Sequence, residues 1–143
     1  VRLLGLDIGE ARVGVAVSDA AGVVASPLVV LDARALARDL GPLKRLVEDY
    51  EVTALVAGLP LTMAGEEGPQ AASVRATAEW IAGALGMPIA YVDERLSSSA
   101  AARAMAGAGI DTRGQRGKLD MVAAAYILQG YLDSQRRFAS DDA

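Results

Sequence analysis

The chain has 143 residues, the length of one domain, and carries 18 acidic residues against 14 basic ones with neither cysteine nor histidine. That inventory excludes disulfide staples, thiolate nucleophiles, Ser-His-Asp and Cys-His catalysis and His-based zinc hydrolysis, so any chemistry must run on carboxylates, hydroxyls, Lys, Arg or a metal held by oxygen. No apolar run approaches the roughly 20 residues of a membrane span and the first residues lack a signal peptide's pattern; the expected setting is cytoplasmic, away from membranes.

The first strand, LLGLDI, places Leu4, Leu6 and Ile8 on one face and Gly5 and Asp7, followed by Gly9, on the other. Asp and Gly are poor strand residues. Three of them on one side suggest a surface cleared so that something can approach the Asp7 carboxylate, with Gly5 and Gly9 as the clearance. The turn GEAR leads into a second strand, VGVAVSD, where Val13, Val15 and Val17 alternate with Gly14, Ala16 and Ser18. VVASPLVVL reads as a third strand, with Pro27 marking an edge or an irregularity. Residues 34–50 are predicted helical, broken at Gly41-Pro42, where Pro fits the first turn of a new piece.

TALVAGLP is an apolar strand ended by Gly58 and Pro60, and the loop LTMAGEEGPQ runs into a helix over 69–85. There Val74, Ala78, Ile81 and Leu85 keep helical spacing and Gly86 is the stop. MPIAYVDE is the next strand, SSSAAARAMAGAG a short helix with a Ser N-cap, and IDTRGQRGK a basic, glycine-containing loop. The last helix is predicted over 118–137, with Met121, Ala124, Leu128 and Leu132 as its buried stripe, ahead of a polar tail at 139–143. This order predicts an α/β domain over 1–138. An antiparallel three-strand meander is extended by parallel strands through helical crossovers, giving a mixed sheet flanked by helices.

Three carboxylates invite a common location. Asp93 and Glu94 close an apolar strand on opposite faces, so at most one can join Asp7, and the ends of strands feeding crossovers are where α/β sites assemble. Asp120 lies in the first turn of the last helix, on the stripe of Ala124 and Leu128; a first-turn acid is also explained by the helix dipole alone. Carboxylates brought together repel, and a divalent cation is the usual relief. Between Arg95 and Lys118 five basic residues (Arg95, Arg103, Arg113, Arg116, Lys118) stand against one acid, Asp111. Such a segment suits phosphate contact or is simply a solvated surface.

Together LGLDIGEARVGVAVSD, GLPLTMAGEEGPQA, VDERLSSSAA and KLDMVAAAYILQGYLD resemble the YqgF/RuvX family of pre-16S rRNA nucleases, also described as Holliday-junction-resolvase-like, over nearly the whole chain. The resemblance implies an RNase H-like fold and a metal-dependent nuclease, a hydrolase of phosphodiester bonds in structured RNA. Its expected role is 5′-end maturation of 16S ribosomal RNA, with branched DNA as a further substrate and a homodimer left open. By position the family's acidic site falls on Asp7, Glu94 and Asp120, holding two Mg²⁺ or Mn²⁺ ions about 4 Å apart. Asp7 would bridge both ions, Glu94 would hold one and orient the water, and Asp120 would hold the other. Arg12, Arg95 and Lys118 are candidates for flanking phosphates, as are Arg113 and Arg116 of the basic loop.

Two departures stand out. Lys118 lies only two residues before Asp120, and Ala123 and Ala124 occupy the place where the wider fold group often carries a fourth ligand. Two other readings compete. LDIGEARVG also resembles the first phosphate motif of sugar kinases and actin, but those proteins enclose ATP between two domains. A noncatalytic ribosome-assembly or nucleic-acid-binding protein would keep the fold and lose the metal site.

Overall fold

A computed structural model describes residues 2–96 and 116–141. Its strands are β1 (Arg2–Ile8), β2 (Arg12–Ser18), β3 (Ala25–Asp32), β4 (Val52–Leu59) and β5 (Ile89–Asp93). Its helices are α1 (Ala33–Arg38), α2 (Gly41–Asp49), α3 (Pro69–Leu85) and α4 (Arg116–Asp141), with a 3₁₀ turn at Glu94–Leu96. The expected Ser-capped helix and most of the basic loop, including Arg113, lie outside the described residues.

The five strands form one sheet in the order β3-β2-β1-β4-β5. The meander β1-β2-β3 is antiparallel, and β4 and β5 extend it in parallel on the other side of β1. Local chemistry accounts for the joints. Gly9 N–H donates to the Arg12 carbonyl across the β1–β2 turn at 2.9 Å. The β2–β3 register shifts opposite Pro27, on an edge strand where a missing N–H is tolerated. Asp32 caps α1 by accepting from the Ala35 N–H at 2.8 Å. Pro42 sits in the first turn of α2, and Gly86 ends α3 at φ +66°, a backbone that favours glycine.

Strand alternation splits the interior into two layers. Leu4, Leu6, Val13, Val15, Leu55 and Ala57 face α1, α2 and α3, where Leu36, Leu43, Ala78 and Ile81 close the larger core. Ala16 and Val56 face the other way, against Ala124, Ile127, Leu128 and Leu132 of α4. Each fully buried leucine here contributes about 1.5–3 kcal/mol by leaving water.

The last helix differs from its expected bounds at both ends. It begins at Arg116, inside the expected loop, and runs to Asp141, taking in the start of the expected tail. After Gly130 the sequence offers neither glycine nor proline to stop it.

Candidate active site

The glycines of β1, β2 and β4 clear the sheet for a helix. A Cβ at Gly5 would stand 2.8 Å from the Leu128 Cβ and 3.0 Å from the Ala124 carbonyl oxygen, and one at Gly58 would stand 2.6 Å from the Ile127 side chain. At Gly14 it would overlap the Asp120 carbonyl oxygen. The clearance expected around Asp7 is therefore filled by α4, and Gly9 serves the turn, where a Cβ would lie 2.9 Å from the Arg12 carbonyl oxygen.

This close approach gathers the carboxylates. Asp7 pairs across the β1–β2 ladder with Gly14, the residue over which the Asp120 backbone rests. Leu6 pairs with Ala57, so Asp7 and Gly58 follow side by side on β1 and β4. The Glu94 side chain passes over Gly58, its Cγ 3.7 Å from where a Cβ would be. Only Asp93 ends β5; Glu94, expected in the strand as well, opens the 3₁₀ turn and is the one that hydrogen-bonds Asp7.

Burial, reinforced by the nearby charge of Glu94, a hydrogen bond with Glu94 and the charge of Asp120, pushes the Asp7 carboxyl up to about 8. Asp120 is compensated by an ion pair in which Arg12 Nε donates to its Oδ2 at 2.6 Å. Among the described residues no three acidic side chains are grouped as a ready cation cage.

The basic candidates divide. Arg12 reaches Asp120. Arg95 donates to Asp93 from Nε at 3.0 and 3.1 Å and from Nη2 at 2.6 Å, while its Nη1 reaches the Thr62 and Met63 carbonyls at 3.3 and 3.2 Å. It is a clamp between β5 and the 60–68 loop, and it holds the Asp93 carboxyl below its ordinary range. Glu67 in that loop pairs with Arg75 of α3, so one of the loop's two glutamates is tied to the helix beside it. Arg116 and Lys118 lie in the first turn of α4.

The sequence reading missed Gly14 and the Arg12–Asp120 pair. The signal to be had was a glycine inside a valine-rich strand, which marks close backbone approach. A cavity of about 790 Å³ lies on the opposite face of the sheet between α1 and α3, walled by Ile8, Val13, Leu36, Val74 and Trp80, and none of the three carboxylates lines it.

The sheet order and the acidic end of β1 define an RNase H-like α/β protein. Two structures of RuvC from Thermus thermophilus share the fold: one in complex with a Holliday junction substrate, with TM-score 0.59, 14% identity and 95% and 96% of the two chains covered, and a second with TM-score 0.54 and 13% identity. The chain belongs to the RuvX family, whose model, described as Holliday junction resolvase, matches residues 1–134. Relatives named "Putative pre-16S rRNA nuclease" include one from Moorella thermoacetica, 47% identical over 93% of this chain and 95% of its own, and one from a Roseiflexus species, 46% identical over 94% and 96%.

Proposed function

We propose that this protein is a metal-dependent nuclease that hydrolyses phosphodiester bonds in precursor 16S ribosomal RNA, with Asp7, Glu94 and Asp120 as its catalytic carboxylates. The observation that supports the reading is the convergence of the three groups: the Asp120 backbone rests over Gly14, the cross-strand partner of Asp7, and Glu94 hydrogen-bonds Asp7, whose carboxyl is raised by burial first and by its acidic neighbours second. The names of the relatives supply the substrate class.

The donor set suits a hard cation, since all three groups offer only oxygen and their mutual repulsion is what a cation relieves. A bound Mg²⁺ or Mn²⁺, two in the fullest form of the site, would supply Lewis acidity and an activated water. Asp7 and Glu94 would hold it from the sheet and Asp120 from α4. Arg12 and the basic segment containing Arg113, Arg116 and Lys118 would hold flanking phosphates. In the reaction a water oxygen bonds to phosphorus and the bond to the 3′-oxygen breaks.

Asp7→Asn is the decisive variant, because the amide keeps the shape and loses the charge. It should abolish cleavage of precursor rRNA in Mn²⁺ while leaving the fold and most substrate binding intact. Full activity in the variant would refute the site. The family description favours a second substrate, branched DNA, and the same assay run on a four-way junction decides between them.

A further inference from the structure

Arg12 opens β2, and Gly14, two residues on, shares its face. With no side chain at Gly14, the Asp120 backbone rests directly on this strand. The position of Asp120 is therefore fixed by packing, and its carboxylate is free to turn only about its own side-chain bonds. In the structure it turns to Arg12, at 2.6 Å, in a pair whose side chains are 40% and 27% exposed. Asp7 meanwhile shares a hydrogen bond with Glu94. The cluster thus consists of a carboxyl pair and a third carboxylate engaged by Arg12.

We propose that Arg12 is a built-in competitor of the divalent cation for Asp120. It neutralises Asp120 when no cation is held, yields it when one binds, and then meets a phosphate of the nucleic-acid substrate. The inference rests on the nuclease reading and adds the order of events: cation first, which frees the guanidinium, then substrate. A half-exposed ion pair is weak, so a divalent cation can displace it. A guanidinium suits either partner, since carboxylate and phosphate present similar pairs of oxygens to its donors.

Calorimetric titration with Mn²⁺ alone, without nucleic acid, tests this on the intact wild-type chain, Arg12→Gln and Arg12→Lys. Removing the competitor should tighten Mn²⁺ binding by about two- to fivefold in Arg12→Gln, with Arg12→Lys, which keeps a charge, between the two. At saturating Mn²⁺ the Gln variant should nonetheless show a raised KM for RNA, because the guanidinium that meets the phosphate is gone. Mn²⁺ affinity in both variants equal to or weaker than wild type overturns the proposal, as does a failure of all three proteins to bind. The nuclease reading fails by a different result, cleavage that survives Asp7→Asn. The cation comparison stands apart from it because it is read without substrate.

Discussion

At the scale of single residues, Asp7 links the site to folding. The unfolded chain releases its Asp7 proton near 3.8 and the native protein near 8. Between those values the unfolded state binds fewer protons, so the contribution is fully present below about pH 4 and is lost as pH rises toward 8. In chelator, the wild-type protein should lose on the order of a few kcal/mol across this window relative to Asp7→Asn. Lowered carboxyls such as Asp93 act in the acid range and are common to both proteins. Urea unfolding of the pair from pH 4 to 9 measures the difference; parallel curves would show that Asp7 ionises normally. Mn²⁺ should flatten the wild-type curve, because a cation takes over the neutralising role of the proton.

Among the elements, the packing of α4 on the glycine face decides whether the carboxylates meet. Gly14→Ala puts a methyl group into the Asp120 carbonyl, a backbone atom that moves only with the helix, and should cost about 1–3 kcal/mol or more and reduce cleavage with it. Gly83→Ala is the control. It lies in α3 with nothing within 4 Å of a new Cβ and should stabilise by about 0.5–1 kcal/mol without touching activity. Chemical denaturation beside a cleavage assay reads both. The same glycines show what the sequence discloses. Alternating valines and leucines, the Gly41-Pro42 break and Gly86 made strands and helices legible because those signals are local. The emptiness of one face of β1 was legible as well, but its occupant was not, since nothing in the strand's own residues says which distant helix will cover it. Nor did Arg12 and Asp120, 108 positions apart in the chain, carry any local mark of pairing.

For the molecule as a whole, the proposed binding of RNA by an acidic chain requires that positive charge be concentrated, and the sequence concentrates it between Arg95 and Lys118. With Arg95 engaged as a clamp, Arg113, Arg116 and Lys118 remain as the segment's named candidates. Replacing Arg113 and Arg116 with Gln should weaken RNA binding and flatten its dependence on salt by about one unit of log-log slope for each phosphate left without its cation. An unchanged slope, measured by filter binding between low and moderate salt, would remove the segment from the interface. The layering of the fold has a consequence in time. Asp7 and Glu94 leave the ribosome before Asp120 does, and until α4 emerges and docks, the strand face that carries Asp7 has no cover from that helix and no third acid. Under the proposed function, chain order sets a delay on cleavage: a polypeptide still under synthesis, held beside abundant ribosomal RNA, would lack the third acid of the proposed site.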